Sequence, residues 1–515
     1  MGNRPILADT IQTLPGAIGW WAERTPEAPA LQTLDRPTVT YRDLHRAIRR
    51  GAARLSRFGI EREDRIAVVL GDGLDPVVAL LTAMSAAGAA PLSVSQTPRE
   101  LERDLRRLNA RLIIVDPDRT PDLAELASVL GTPVLTVSHL TNAYPESGAD
   151  WETTSFSDLD VDPDATMLIA HTSGTTALPK RVPITHRMQL AAARARNSRR
   201  EFGPDDAGLL LAPIASVMFL TNLITMLVSG GNSIVFPGLA PLPALRAFRD
   251  LQPTWVLAGL PLYNAMLQAL ERDTNLDLDA NTRLRFVSWG GAGADPAFVE
   301  RLTLAFGVCP DSTYGLSEAS AVAVPGRAGQ QSPRSVGRAA ACAIRITGDD
   351  GQELGAGERG YIEIRGPSLF TGYLDDPEAT AAAFTADGWF RTGDLGHLDS
   401  SGALFLGGRI TEQINRGGVK IAPAEVESIL LAHPAVIDAA VFAVPDAVLG
   451  EEAVAAVVLE PGRDASARDL RAWMLDRLTI AKSPRRIWFV TALPRTETGK
   501  VQRGELTRRW MQQAR

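Results

Sequence analysis

Short apolar runs alternate with stretches of helical spacing through most of this chain, and that alternation constrains its fold more than any other feature. Residues 65–70 (RIAVVL), 111–115 (RLIIV), 134–137 (VLTV), 233–236 (SIVF), 255–258 and 285–288 read as strands. Residues 76–90 follow the first strand with helical periodicity and end at Gly88 and Pro91, ordinary stop signals. Strands joined by helices of this length need right-handed crossovers, so the sheets are predicted to be largely parallel. Glycine-rich, hairpin-like stretches at 351–367 and 402–408 add an antiparallel subdomain. From Ile410 a compact unit begins: a helix at 423–432, strands near 439–444 and 453–459, a helix at 467–478 capped by Ser466, a strand at 487–490 and a terminal helix. The expected class is α/β, with a large N-terminal domain (1–409) of mostly parallel sheets, helices and an antiparallel β subdomain. A small α+β C-terminal domain (410–515) follows.

The totals exclude several functions. A net charge of −7 leaves no electrostatic footprint for nucleic acid or an anionic membrane. Two cysteines, Cys309 and Cys342, make no disulfide framework and fit a reducing cytoplasm; both read as structural. The six histidines show no metal-ligand spacing. No signal peptide is read at the N-terminus. The uncharged stretch 208–228 is long enough to span a membrane, but Pro213, Ser216, Thr221, Asn222 and Thr225 make it a buried strand, turn and helix instead.

Only four of the fifty-three basic residues are lysine: Lys180, Lys420, Lys482 and Lys500. Codon bias explains the loss of lysine from ordinary surface positions but not the survivors. Arginine replaces lysine as solvated charge, not where a compact ammonium must reach one oxygen. Each survivor is therefore a candidate reactive or phosphate-binding group, except that Lys482, in Ala-Lys-Ser-Pro, reads as a solvated surface lysine.

An apolar strand at 167–170 runs directly into His171-Thr-Ser-Gly-Thr-Thr-Ala-Leu-Pro-Lys180. Hydroxyls and backbone N–H groups of Thr172, Ser173, Gly174, Thr175 and Thr176, with the charge of Lys180, suit polyphosphate oxygens. It is not a Walker A loop, because no glycine precedes Lys180 and no Ser or Thr follows it. The segment resembles the signature loop of the adenylate-forming superfamily of acyl-CoA synthetases, adenylation domains and luciferases, T-S-G-T-T-G-x-P-K-G. Ala177 and Arg181 stand where that loop has glycine, and at a positive φ alanine would cost roughly 1 kcal/mol.

The resemblance covers nearly the whole chain. Ser288-Trp-Gly-Gly-Ala-Gly293 is similar to the adenine-side glycine segment, which implies nucleotide contacts for Gly291 and Ala292. Tyr314-Gly315-Leu-Ser317-Glu318 resembles Y-G-x-T-E, implying that Tyr314 packs on adenine, Ser317 touches phosphate and Glu318 holds Mg²⁺. Asp394, in Trp389-Phe-Arg-Thr-Gly-Asp394, is implied to accept from the ribose hydroxyls. Arg409 is implied to contact nucleotide, and Thr411 to sit at the inter-domain pivot, where Asp or Lys is usual. Residues 413–427, with Gly418 and Lys420, resemble a segment that enters the site after the C-terminal domain rotates, to meet a pantetheine arm. Residues 494–503 resemble the catalytic-lysine motif and put Lys500 in that role. The family's acyl pocket maps to 213–221, 288–293 and the region of Ser320, so Ser216, Trp289, Gly290 and Ser320 are the pocket candidates. Trp289 would fill volume there and favour a small or flat acid; Ser216 stands where histidine is common.

The implied activity is ATP- and Mg²⁺-dependent conversion of a carboxylic acid to an acyl-adenylate with release of pyrophosphate, then transfer to coenzyme A. Short- or medium-chain acyl-CoA and oxalate–CoA ligases are the nearest in pattern. Two alternatives stand beside it: transfer to the phosphopantetheine of an acyl or peptidyl carrier protein, and a degenerate nucleotide- or acyl-binding protein, which Ala177, Arg181, Thr411 and Ser216 would favour.

Overall fold

The structure, a computed structural model, describes residues 6–118, 120, 123–141, 161–172, 179–236, 238–272, 278, 283–290, 296–326, 335–417, 419–446, 448–496 and 499–513. Two sheets dominate. One has six strands in the order Val134–Thr136, Leu112–Val115, Arg65–Val69, Gly88–Leu92, Thr166–His171 and Arg181–Thr185, parallel except for the last pair. The other has seven in the order Asp311–Thr313, Phe286–Gly290, Trp255–Ala258, Ala207–Leu211, Asn232–Ile234, Pro29–Gln32 and Val39–Thr40, again parallel but for its final pair. Leu112–Val115, Ala207–Leu211 and Trp255–Ala258 are buried along their whole length, which is why they read as unbroken apolar runs.

The helices Leu74–Ala86 and Val217–Ser229 are apolar on nearly every side and buried to match. One core cluster draws on both sheets and both helices, including Val68, Met84, Leu168, Leu210, Leu223 and Phe286. The 208–228 stretch thus folds as strand, turn and buried helix, and among the described residues no helix is long and apolar enough to cross a membrane.

The helix expected over 76–90 is a correction: it ends at Ala86, and Gly88–Leu92 is a strand. Gly-Ala-Ala-Pro-Leu carries no β-branched signal, and proline argues against an interior strand. Its neighbours supply the pairing instead, with Pro91 opposite Val68 and Ala89 opposite Leu168.

Two antiparallel arrays follow. Ala343–Thr347, Gly360–Arg365, Phe390–Leu398 and Leu404–Arg409 form a four-stranded meander. Val419–Ile421, Ile414–Arg416, Gly450–Leu459 and Val436–Asp446 pair in that order, with Arg486–Phe489 added parallel to Gly450–Leu459. Alternate residues of Val436–Asp446 face opposite covers. Ala439 and Val441 join a cluster with Val426, Leu430, Leu470 and Met474, whereas Ala440 and Phe442 join one with Leu506 of the last helix. Ser466 caps Ala467–Leu475 as expected, its hydroxyl accepting from the Asp469 amide at 3.2 Å.

Candidate active site

The expected phosphate loop springs from a hairpin. Thr166–His171 and Arg181–Thr185 pair antiparallel, and the next residues extend the ladder: the Thr172 amide donates to the Lys180 carbonyl at 2.9 Å, and the Lys180 amide to the Thr172 hydroxyl at 3.1 Å. Ser173, Gly174, Thr175, Thr176 and Ala177 lie outside the described residues, as do Gly291, Ala292 and Gly418. The Lys180 ammonium sits 4.4 Å from the centre of the Tyr373 ring. The Tyr373 hydroxyl in turn donates to Glu318 Oε1 at 2.8 Å. Burial, then the Glu318 charge, hold that phenol well above its usual range. One tyrosine thus ties the loop cation to the candidate metal carboxylate.

Arg181 is not a damaged glycine position. It lies in extended backbone opposite His171, is 7% exposed, and is absent from the described residues with positive φ. Its guanidinium donates to the carbonyls of Arg107 and, at 3.4 Å, Leu374, and pairs with Asp375 at 3.3 Å. Arg107 donates to the Pro179 carbonyl at 3.0 Å, so two arginines bolt the C-terminal stem of the loop. Among the described residues neither ring nitrogen of His171 has a hydrogen-bond partner, and burial pushes its pKa down to about 4, so it stays neutral at the foot of the loop.

On the side expected to face nucleotide, Tyr314 donates to Asp394 Oδ2 at 2.6 Å and Arg409 pairs with Asp394 Oδ1 at 2.9 Å. Register explains the second contact, because Asp394 and Arg409 are directly opposed across two strands. Burial pushes the Asp394 carboxyl up, with Arg409 and then Tyr314 opposing; burial likewise raises the Tyr314 phenol. Gly315 is exposed and Ser317 half-buried in the turn that carries Glu318.

The C-terminal unit brings Lys500 to this pair. Gly499 has φ +85°, and a Cβ there would fall 2.8 Å from the ring of Pro261, at the start of the Leu260–Arg272 helix. That close approach seats the lysine turn on the larger unit. Lys500 Nζ lies 3.7 Å from Glu412, and Arg503 bridges Glu412 at 3.1 Å and Glu427 at 2.7 Å. Burial and then Arg409 lower the Lys500 pKa, while Glu412 and Asp394 oppose. Lys420 sits in Val419–Ile421, and Thr411 in the single turn Ile410–Glu412 directly after Arg409. Lys482 corrects the surface reading, since its ammonium is 2.9 Å from both oxygens of a half-buried Glu425.

On the presumptive acyl side, Ser216 has a local job. Its hydroxyl accepts from the Phe219 amide at 3.1 Å and donates to the Pro213 carbonyl at 2.7 Å, capping the Val217–Ser229 helix. Ser320 accepts from Thr221 at 3.2 Å and donates to Gln189 at 3.3 Å. Trp289 does not fit the expected pocket-filling role. It is 5% exposed and belongs to a core cluster with Val287, Leu262 and Phe306, because alternation along Phe286–Gly290 turns it to that side. Behind Gly290, Ser288 donates to Asp311 at 2.8 Å and accepts from Trp255 at 3.1 Å. Tyr373, Glu412 and Arg107 carried no motif signal of their own; only their partners mark them.

Residues 18–374 match the model of the AMP-binding enzyme family, and 425–500 match that of the AMP-binding enzyme C-terminal domain. The oxalate–CoA ligase of Arabidopsis thaliana is 31% identical, over 95% of this chain and 97% of the relative. The sulfoacetate–CoA ligase of Cupriavidus necator is 31% identical, over 98% and 99%. ATP-bound MatB from Rhodopseudomonas palustris superposes with a TM-score of 0.88 at 25% identity, covering 98% of this chain and all 100% of that one.

Proposed function

This chain belongs to the AMP-binding enzyme family, and from that premise we propose how its residues divide the two half-reactions of an acid–thiol ligase. The reaction activates a carboxylic acid as its acyl-adenylate and passes the acyl group to coenzyme A. In the first half the acid's carboxylate oxygen attacks the α-phosphorus of ATP, and the bond to the β-phosphate oxygen breaks to release pyrophosphate. Negative charge builds on the phosphate oxygens, so the protein's task is positioning and electrostatic stabilisation. Lys500 bridges the acid and the α-phosphate, Lys180 and the loop from Thr172 grip the outer phosphates, and Asp394 and Arg409 hold the ribose side.

Glu318 is the residue that would hold Mg²⁺. Its half-buried carboxylate, oriented through one oxygen by Tyr373, is a hard ligand. Among the described residues no three His, Cys, Asp or Glu gather as a metal cage. A single carboxylate suits an ion that keeps waters and phosphate oxygens as its other ligands, and such an ion supplies neutralisation of the triphosphate.

The observation that carries this assignment is the seating of Gly499 on Pro261, which holds Lys500 within electrostatic reach of Asp394 and Arg409. For the second half-reaction, residues 410–515 are proposed to rotate as a lid about Thr411, withdrawing Lys500 and presenting Gly418 and Lys420 to the thiol. Coenzyme A is preferred over a carrier protein because relatives matched over their full length are CoA ligases. The substrate is proposed to be a small acid, as in the relatives named for oxalate and sulfoacetate. The free thiols of Cys309 and Cys342 support a cytoplasmic location. Arg181 and Ser216 have structural work of their own, which removes two of the departures that favoured a degenerate protein. Lys500→Ala tests the scheme: ATP–pyrophosphate exchange should vanish while thioester formation from supplied acyl-adenylate persists. Equal loss of both would remove the role given to Lys500.

A further inference from the structure

A polar seam runs between the His186–Arg200 and Val217–Ser229 helices. Gln189, Arg196 and Arg200 share one face of the first helix at spacings of seven and four. Two of them are accounted for: Gln189 accepts from Ser320, and Arg200 holds Asp311 with two bonds at 2.5 and 2.7 Å. Arg196 is different. It is 5% exposed, and its guanidinium donates only to the neutral side-chain oxygen of Asn222. Among the described residues its Nε has no partner and no carboxylate pairs with it. Burial lowers its pKa to about 9, which still leaves a cation at neutral pH; the like charge of Arg200 adds to the strain, and the opposing Asp311 is already taken. A buried guanidinium with an unsatisfied Nε and a neutral acceptor as its partner is costly until an anion joins it.

The place of that anion follows from the second helix. Asn222 is one turn from Met218 and adjacent to Thr221. The Met218 sulfur is the nearest atom to where a Cβ on Gly290 would stand, at 3.5 Å, and Thr221 donates to Ser320. Met218 therefore faces Gly290 and Thr221 faces Ser320, two of the expected pocket residues, and Asn222 shares their helix face at spacings of four and one. Gln189 Nε2 on the same seam also lacks a partner. Donors collect on the buried side of the acid site without a matching acceptor.

We propose that Arg196, presented through Asn222, receives a second anionic group of the acid, so that the enzyme selects small acids bearing a distal carboxylate or sulfonate. This rests on the proposed acid site and deepens it. A monocarboxylic acid would leave the guanidinium unpaired, and sites built around buried polar groups reject analogues lacking the matching group.

The test is ATP–pyrophosphate exchange by the full-length protein with oxalate, malonate, succinate and sulfoacetate against acetate, propionate and butyrate. Wild type should favour the doubly anionic acids by on the order of a hundredfold in kcat/KM; the carboxylate and sulfonate arms identify which anion fits. Arg196→Met should erase that preference while changing the monocarboxylate values by less than about threefold, and Arg196→Lys should restore part of it. Exchange with monocarboxylates preferred by wild type, or an equal fall for both classes in Arg196→Met, overturns the proposal and makes Arg196 a packing residue of a hydrated seam. Should Arg196→Met not fold, Asn222→Leu decides: an undiminished preference for doubly anionic acids overturns it. Exchange with no acid at all instead overturns the enzymatic reading on which it stands.

Discussion

Replacing Tyr373 by phenylalanine should weaken the metal-dependent half of ATP binding without loosening the fold. The substitution deletes one hydroxyl, the donor that meets Glu318 Oε1 at 2.8 Å, and leaves the ring. Hydrogen bonds to charged groups contribute about 1.5–3 kcal/mol, and the half-buried setting of this one argues for the lower end, near tenfold. The ring still carries Lys180 on its face and still packs edge-on to Phe370 with centres 4.8 Å apart. Tyr373→Leu removes that face as well and should cost a further ~0.5–1 kcal/mol. The assay is ATP binding by calorimetry across a Mg²⁺ titration, alongside pyrophosphate exchange. Tyr373→Phe should raise the Mg²⁺ concentration needed for half-maximal ATP binding about tenfold, with metal-free binding and thermal unfolding close to wild type. An unchanged Mg²⁺ requirement would refute the idea that this hydroxyl orients Glu318.

Two further expectations concern the lid. Lys500 must be protonated to bridge two anions, and its pKa lies below the ordinary lysine value, so exchange should fall as pH rises through that lowered value. Glu412 opposes the lowering, so Glu412→Gln should move this alkaline limb to lower pH, and a limb that stays put or rises would contradict the pairing. Gly499→Ala places a side chain at φ +85° and into Pro261, at roughly 1–2 kcal/mol from the backbone alone. Exchange should drop about tenfold or more while thioester formation from supplied acyl-adenylate holds; parallel losses would show that the contact is not specific to the first half-reaction.

Much of the architecture was legible because parallel strands buried on both faces advertise themselves as apolar runs, and because Ser466 stands at a helix start. Ser216 illustrates the limit of that legibility. It read as a pocket residue standing where histidine is common, and only the Phe219 amide above it shows a cap. The strand Gly88–Leu92 escaped notice because its pairing comes from neighbours, not from its own alanines. Motif residues such as Asp394 and Arg409 were readable singly, but their salt bridge depends on strand register. Tyr373 and Glu318 are 55 residues apart, and Arg181 and Arg107 are 74 apart. No local pattern encodes such meetings.

The ion pair of Lys500 with Glu412 has a bearing on how freely the enzyme can alternate. Glu412 directly follows Thr411 on the lid side of the proposed pivot, and Arg503, also on the lid, shares it. The counter-charge therefore travels with the ammonium when the lid swings away. On the proposed rotation, departure from the nucleotide would strip Lys500 of the influence of Asp394 and Arg409, so each stroke would exchange modest field effects instead of exposing and re-burying a bare cation. Such a carried partner would keep the two proposed postures close in energy, and nearness in energy is what lets bound ligands choose between them.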